Sequence, residues 1–266
     1  MAAPVSLVEQ PTINYATYEL SRSLVHVVTI PPGTGRVEVA VEDSLRPLAT
    51  MAEEAGAIAA INAGFFDPQN GLTTSYITVA GEIVADPQEN PRLMDNPDLA
   101  PYLGAILDRS EFRVYDCEGT VQYEIARHSA LVPIDCTLDS AVGAGPQLLP
   151  TMTGYEEGFL ANNDAGELVR DALGSRYANA RSAIGLKADG TVVLVIASQR
   201  LDQEGPTGLN FDDLATFLHG LDVISALNLD GGSSTGLFYQ GEMYYGRWNA
   251  EDFPVERSIK SILLVR

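Results

Sequence analysis

The first part of the chain alternates apolar and polar residues in the way that β-strands do. Leu24–Ile30 is an apolar run stopped by two prolines, and residues 37–43 place three valines on one side. Because successive side chains of a strand point to opposite faces, both segments predict strands, and we expect them to pair. Residues 48–55 repeat apolar positions at helical spacing instead, which predicts a short helix closed by Gly56.

Shorter elements separated by loops are predicted for the middle of the chain. Prolines between residues 87 and 101 deter a long helix there. The strand candidates are residues 57–61, 76–84, 103–107 and 112–115, and the predicted surface loops are residues 86–101 and 151–179. The glycine-laced apolar run of residues 141–149 is either backbone that lies against another group or a bulge in a core strand.

The last third carries the strongest patterns. Residues 181–198 predict a hairpin whose second strand, residues 192–197, is apolar throughout and should be covered on both faces. Asn210 can cap a helix over Phe211–Gly220. The other strands predicted here are residues 223–229, 237–239, 242–244 and 255–265. Strands dominate, so the sequence predicts an α+β fold: a mixed, mostly antiparallel β-sheet core with a few packed helices.

The stretch around Asp230 stands out because an apolar run leads directly into a polar, glycine-rich loop. Residues 223–229 are followed by Asp230, two glycines and three hydroxyl residues. Glycines permit positive φ angles and let another molecule approach the main chain closely. Two interpretations are open: an Asp-Gly turn in a hairpin, or an acid placed at a functional site.

A second stretch of interest begins at Asn62. It follows the apolar residues 57–61, is followed by small residues, and leads into residues 67–71, which have turn composition. This is either a hairpin loop with two core phenylalanines or a cleft in which Asn62 is a hydrogen-bonding group.

The charge of the chain limits its partners. Asp and Glu number 36 against 16 Lys and Arg, for a net charge of −20. Such a surface repels nucleic acid and anionic membranes, so we expect neither as a partner. It also repels phosphate at long range, so an anion site would have to be built locally from arginines and backbone N–H groups. No apolar run approaches the ~20 residues needed to span a bilayer.

Cys117 and Cys136 are the two cysteines, and their spacing does not predict a zinc site. One disulfide and two buried thiols are both compatible with the sequence. The N-terminal residues show neither the basic nor the apolar region of a signal peptide.

Four blocks of sequence together resemble the phosphodiester glycosidase family. They occur in the family's order over about residues 55–266, and the last is the most specific. The blocks are residues 62–66, 145–148, 181–185 and 208–234, and Glu256 with Arg257 resembles a fifth. The resemblance implies a family-like domain over residues 46–266, with residues 1–45 supplying strands that pack on its core.

The chain departs from the family's usual pattern at three places. Ser233 stands where the family usually has a third glycine, and Ala63 replaces another glycine. Ala197 and Ser198 stand where the family often has Asp-Gly. This last departure removes one candidate acid.

The resemblance implies cleavage of a sugar-1-phosphodiester at the anomeric bond, without a cofactor. Such cleavage needs a carboxyl group beside an oxocarbenium-like centre. Asp230 is the first candidate and Glu256 the second, and Arg181 with Arg257 would bind the phosphate. The other predicted substrate-binding residues are Asn62, Gly64, Asn228, Gly231, Gly232, Ser233 and Ser234, with the N–H groups of residues 231–233 forming an anion nest.

Two other functions compete with this hypothesis. A non-catalytic module for cell-surface sugar-phosphate polymers would keep the pocket and lack the second carboxylate. A metal-assisted phosphodiesterase would hold Ca²⁺ or Mg²⁺ through oxygens of Asp67 and Asp230, although the sequence has no convincing oxygen-ligand loop. The family resemblance also implies a secreted or periplasmic location.

Overall fold

The computed structural model describes residues 11–266. The first ten residues, which include the start of the predicted N-terminal unit and the region where a signal peptide would lie, are outside this part. The helices within it are short, and none is long and apolar enough to cross a membrane. The α-helices are α1 (Leu48–Glu54), α2 (Pro91–Met94), α3 (Leu103–Ile106) and α4 (Phe211–Gly220), and the 3₁₀ turns are Pro87–Glu89, Ala100–Tyr102 and Gly232–Ser234.

Eighteen strands account for most of the regular structure in residues 11–266, and every pairing between them is antiparallel. This confirms the predicted α+β class with a mostly antiparallel core. The strands are β1 (Asn14–Glu19), β2 (Leu24–Ile30), β3 (Val37–Arg46), β4 (Ala59–Asn62), β5 (Ile77–Val79), β6 (Glu82–Ala85), β7 (Ser110–Cys117), β8 (Thr120–Arg127), β9 (Cys136–Gly143), β10 (Gln147–Leu149), β11 (Leu160–Asn162), β12 (Leu168–Asp171), β13 (Arg181–Lys187), β14 (Val192–Ser198), β15 (Val223–Asn228), β16 (Gly236–Tyr239), β17 (Glu242–Tyr245) and β18 (Ile259–Val265).

Three large sheets enclose the central core. Their strand orders are β1-β2-β14-β13-β15-β10, β17-β16-β4-β18-β3 and β6-β5-β9-β7-β8, and β11 and β12 form a separate ribbon. Ile184 from the first sheet, Ile61 from the second and Phe112 from the third meet in one buried cluster. Strand β4 is short and mostly apolar, whereas β7 alternates, with Phe112 and Val114 in this cluster and Glu111 and Arg113 on its other face.

Two helices cover the outer faces of these sheets. Leu214 of α4 packs on the outer face of the first sheet together with Val195, whereas Leu194 of the same strand faces the central core. The predicted central strand is thus buried on both faces, as expected. Helix α1 covers the second sheet, where Met51 packs against Ile262.

Several local predictions are corrected. Residues 37–43 do form a strand, but β3 pairs with β18, because β2 already has β1 on one side and β14 on the other. Residues 103–107 contain helix α3, since a short apolar run does not distinguish strand from helix. The predicted loop 151–179 contains the β11–β12 ribbon, and the terminal strand begins at Ile259, later than expected.

The question of the cysteines is decided by the register of the third sheet. Cys117 of β7 stands opposite Cys136 of β9, and the two form a disulfide.

Candidate active site

The loop that carries Asp230 leaves β15 where two sheets meet. The Asp230 amide donates to the Ala63 carbonyl oxygen at 2.9 Å, and the Gly232 amide donates to the Ala180 carbonyl oxygen at 2.9 Å. These bonds fix the loop between the end of β4 and the start of β13. Because β15 and β16 lie in different sheets, Asp230 does not belong to a hairpin turn.

Asn62 closes the same junction from the second sheet. Its buried side chain donates through Nδ2 to the Asp230 carbonyl oxygen. Its Oδ1 accepts from the Ser182 hydroxyl at 2.7 Å and from the Gly236 amide at 3.1 Å. The polar atoms of Asn62 are engaged inside the protein, so the structure gives it an organising role where the sequence predicted a substrate contact.

The carboxyl group of Asp230 is enclosed by its own loop. The Gly231 amide donates to Oδ1 at 3.0 Å. Burial raises the pKa of the Asp230 carboxyl to about 6, and it outweighs the Ser234 hydroxyl, the Gly231 amide and the Arg257 charge, which all lower that pKa. The Asp230 carboxyl therefore changes its protonation state closer to neutral pH than an exposed aspartate does.

Arg257 approaches Asp230 from the segment before β18. Its Nη1 donates to the Ser233 hydroxyl at 2.7 Å, and its guanidinium carbon lies 5.3 Å from the centre of the Phe66 ring. Glu256 is exposed and lines a small pocket together with Ser233 and Arg257. The structure thus brings Asp230, Ser233 and Arg257 together and places Glu256 beside them.

Two buried oxygen atoms at this junction have no hydrogen-bond partner among residues 11–266. They are Oδ1 of Asn228 and Oγ1 of Thr235. Nδ2 of Asn228 donates to the Gly145 carbonyl oxygen at 2.8 Å, which fixes the orientation of this amide. Because buried polar atoms are nearly always hydrogen-bonded, each of the two oxygens can bond a ligand or a water molecule.

The predicted anion nest is not supported by the geometry. The Gly231 amide is bonded to the Asp230 carboxyl group and the Gly232 amide to a backbone carbonyl, which leaves Ser233 as the residue of the three whose amide has no acceptor within residues 11–266. The glycines instead allow the chain to turn and pack. A Cβ on Gly231 would lie 3.1 Å from the Ala180 carbonyl oxygen, and Gly232 has a φ of +61°.

The expected phosphate-binding role of Arg181 is corrected by its contacts. The side chain is buried and donates to the carbonyl oxygens of Leu209, Leu173, Gly174 and Tyr177 at 2.7–3.1 Å. Its guanidinium carbon lies 4.5 Å from the centre of the Phe211 ring, on the α4 side of the first sheet. Arg181 therefore fixes surrounding backbone, and four of its N–H groups are already in use.

Gly64 has a packing role instead of the predicted substrate contact. It is buried, and an added Cβ would lie 2.9 Å from the Gly143 carbonyl oxygen, so only glycine lets these two backbone segments approach so closely. Its amide donates to the Ser261 hydroxyl at 3.1 Å. Neither Ser261 nor Ser182 was predicted from the sequence, although Ser182 directly follows Arg181 in one of the four blocks that resemble the family.

Asp67, the other carboxylate suggested for a cation, is engaged in the loop after Asn62. It forms an ion pair with Arg92 at 2.6 Å and accepts from the Gln69 amide at 2.8 Å. Within residues 11–266 no cluster of three or more His, Cys, Asp or Glu side chains is arranged to hold a metal ion.

Comparison with known proteins places these residues in a family. A sequence model of the phosphodiester glycosidase family matches residues 55–266. The chain belongs to the phosphodiester glycosidase family. A curated relative of this family member is the N-acetylglucosamine-1-phosphodiester alpha-N-acetylglucosaminidase of Mus musculus, 36% identical over 72 residues, which make up 26% of this chain and 13% of the mouse enzyme. The match thus spans a small part of that relative's length.

Solved structures similar to this phosphodiester glycosidase family member include a zebrafish protein. It is the catalytic domain of N-acetylglucosamine-1-phosphodiester alpha-N-acetylglucosaminidase, auto-inhibited by its pro-peptide, with a TM-score of 0.70, 17% identity, and coverage of 100% of this chain and 87% of that one. A hypothetical protein from Synechocystis has a TM-score of 0.59 and 18% identity, with coverage of 95% of this chain and 61% of that one. At these identities the likeness shows a shared fold.

Proposed function

We propose that this protein is a hydrolase that cleaves sugar-1-phosphodiesters at the anomeric bond, without a cofactor. Water would supply the oxygen that bonds to the anomeric carbon, and the bond from that carbon to the phosphate oxygen would break. The phosphomonoester leaves with the bonding electron pair, and one proton of the water passes to a base. Family membership over residues 55–266 supports the reaction class.

The observation that carries the proposal is the state of Asp230. Its pKa of about 6 leaves it able to accept or donate a proton near neutral pH. A phosphate leaving group departs readily by itself, so stabilisation of charge matters more here than strong acid catalysis. A carboxylate beside the anomeric carbon stabilises an oxocarbenium-like transition state.

Arg257 is the proposed phosphate contact at this carboxyl group. One of its terminal nitrogens holds Ser233, and no acceptor is assigned to the other within residues 11–266. The ring of Phe66 beneath the guanidinium limits its movement. Oδ1 of Asn228 and the Ser234 hydroxyl are suited to hold sugar hydroxyls or phosphate oxygens.

A second candidate function is favoured by one departure from the family pattern. Where the family often has an acid after the central strand, Ser198 is buried and its hydroxyl donates to the Tyr245 carbonyl oxygen at 2.9 Å. The second carboxylate must then come from Glu256. Without it, the protein would bind sugar phosphates and not cleave them.

The test uses 4-nitrophenyl diesters of several sugar-1-phosphates, with N-acetylglucosamine among the sugars. Cleavage at the anomeric carbon gives free sugar and 4-nitrophenyl phosphate, whereas cleavage at phosphorus gives 4-nitrophenol and sugar-1-phosphate. In ¹⁸O-water the label should enter the sugar. Label in the phosphate, with loss of activity in chelator, would instead identify a metal-assisted phosphodiesterase.

The matched variants are Asp230→Asn, Glu256→Gln and, as a control on an exposed carboxylate, Asp212→Asn. We expect Asp230→Asn to lower kcat by at least about 10³-fold while the control keeps wild-type activity. An active Asp230→Asn enzyme would exclude this residue from the mechanism. Substrate binding by the wild type without any product would favour the non-catalytic function.

A further inference from the structure

A buried arginine near the candidate active site has no carboxylate partner. Arg109 is 8% exposed, and Nε donates to the Glu157 carbonyl oxygen at 3.2 Å. Among residues 11–266 no carboxylate oxygen forms an ion pair with it, and no acceptor is assigned to Nη1 or Nη2. The charge of the Glu157 carboxylate acts on Arg109 without a direct ion pair, so the terminal nitrogens of this guanidinium are a candidate anion site.

The nearest carboxylate is already satisfied by neutral donors. The Glu157 carboxylate accepts from the Ser110 amide at 3.0 Å and the Ser110 hydroxyl at 2.8 Å, and also from the Gln147 amide at 3.1 Å and the Thr153 hydroxyl. These bonds orient Glu157 toward the backbone that precedes β7 and β10. Arg109 therefore keeps both terminal nitrogens for another partner.

Two aromatic rings fix the guanidinium in place. Its central carbon lies 3.7 Å from the centre of the Phe159 ring and 6.0 Å from that of the Phe65 ring. Stacking on aromatic faces leaves the edge of an arginine open to bidentate hydrogen bonding.

Phe65 belongs to a segment that leads away from the Asp230 site, and Phe159 packs against another segment that adjoins it. Phe65 follows Asn62 by three residues in the loop after β4. Phe159 packs against Gly145, where an added Cβ would lie 3.0 Å from the ring, and the Gly145 amide donates to the Asn228 carbonyl oxygen at 2.8 Å. Arg109 thus contacts, through these two rings, segments that adjoin the site.

A second positive charge lies close to Arg109. The pKa of Arg109 is lowered to about 9, mainly by burial; the charge of the Glu157 carboxylate raises it and the charge of Arg170 lowers it. Arg170 stacks at 4.6 Å on the ring of Tyr102 and donates to the Gly158 carbonyl oxygen at 2.8 Å. Two arginines against the one Glu157 carboxylate leave a net positive charge here, in a chain of net charge −20, and a phosphate is attracted to such a charge.

We propose that Arg109, held between Phe65 and Phe159 and assisted by Arg170, binds the phosphate oxygens of the substrate through Nη1 and Nη2. This assignment rests on the proposed sugar-phosphodiester function, and it gives Arg109 the phosphate role that the sequence assigned to Arg181. The ligand class is a phosphate monoester or diester.

The test measures binding of inorganic phosphate and methyl phosphate by calorimetry at low ionic strength, with sulfate as a comparison anion. The variants are Arg109→Met, Arg109→Lys and Arg170→Gln, and Arg176→Met removes an exposed arginine as the matched control. Because hydrogen bonds to charged groups are strong, we expect Arg109→Met to weaken binding by about tenfold to a hundredfold. Arg109→Lys should lose part of that affinity, because an ammonium group cannot form the two parallel hydrogen bonds of a guanidinium group. Arg170→Gln should lose less affinity, and Arg176→Met should bind phosphate as the wild type does.

Unchanged phosphate affinity in Arg109→Met, or no phosphate binding by the wild type, would overturn the proposal. If Arg109→Met does not fold, Arg109→Lys and Arg170→Gln carry the test, and circular dichroism with thermal melting verifies their folding. Phosphate binding that depends on Arg109 in a protein that cleaves no sugar-1-phosphodiester would support this inference and refute the proposed function. If the protein cleaves sugar-1-phosphodiesters and Arg109→Lys leaves KM unchanged, the proposed function would be supported and this inference refuted.

Discussion

Replacing Asp230 with asparagine should stabilise the protein at neutral and alkaline pH. The pKa of this carboxyl is raised from 3.8 to about 6 in the folded protein, so the folded state holds the proton more tightly than the unfolded chain does. Stability therefore falls as pH rises between those two pKa values, and the loss is complete above the folded value. A shift of this size corresponds to about 3 kcal/mol. The residue retains some exposure, so we expect about 2 kcal/mol.

The assay is urea unfolding of wild type and Asp230→Asn at several pH values from about 4 to 8. Asparagine mimics the neutral carboxyl group, so the two proteins should have equal free energies of unfolding at pH ~4. At pH ~8 the free energy of unfolding of the variant should be higher by about 2 kcal/mol. Asp212→Asn, on the exposed first turn of α4, is the control and should show no such divergence. A stability difference that does not change with pH, or a variant less stable than wild type at about pH 8, would refute the reasoning.

The same ionisation should govern activity. We expect kcat/KM to show a pKa near 6 that Asp212→Asn retains. Activity that falls above this pH assigns Asp230 as an acid, and activity that falls below it assigns Asp230 as a base or nucleophile. A pH profile with no ionisation near this value would exclude Asp230 as the proton-handling group.

Three further predictions concern the frame around the site. Arg181→Lys should lower the free energy of unfolding by about 3 kcal/mol, because one ammonium group cannot replace the hydrogen bonds to four carbonyl groups. The same variant should leave phosphate affinity unchanged, and thermal melts and calorimetry measure the two effects. Weaker phosphate binding at unchanged stability would support the phosphate-binding role predicted for Arg181. Replacing Cys117 and Cys136 together by serine should lower the free energy of unfolding, measured in urea, by about 3 kcal/mol. It should leave kcat/KM unchanged, because the disulfide lies at the end of β7 remote from the Asp230 loop. A lowered kcat/KM would contradict this. Gly64→Ala should destabilise the protein by about 1–3 kcal/mol, because the added methyl group would lie 2.9 Å from a backbone carbonyl oxygen. Gly104→Ala is the control and should not destabilise the protein, because the space around Gly104 is open. Equal melting temperatures for the two variants would argue against this packing role of Gly64.

The raised pKa of Asp230 and the unpaired charge of Arg109 have a common physical cause. Both groups are taken out of water without the full complement of partners that would stabilise them. A bound sugar phosphate would supply a partner of the right charge to Arg109, which forms no direct ion pair within residues 11–266 and is compensated only by the charge of the Glu157 carboxylate. Sites that keep polar groups underpartnered in this way are less stable than a sealed core and more able to bind.

Much of the fold followed from local pattern. The apolar run of residues 192–197 predicted a strand covered on both faces, and Asn210 predicted the start of α4, where its side chain accepts from the Asp213 amide at 2.8 Å. The first prediction depends on the spacing of apolar residues and the second on a helix-capping side chain, and both features are set by residues close together in the sequence. The family followed in the same way, because its motifs are continuous stretches of sequence.

Strand partners and side-chain roles depended on the tertiary structure. Residues 37–43 predicted a strand correctly, but pairing with β18 depends on which edges of the sheets are free, which no local pattern records. Arg181 and Arg109 are the same residue type near the start of a strand, yet the first has its N–H groups bonded to carbonyls and the second is held by two rings with its terminal nitrogens open. A sequence by itself determines which residues carry charge and which segments are apolar. Only the folded chain decides which of those charges are neutralised, because that depends on atoms brought together from distant segments.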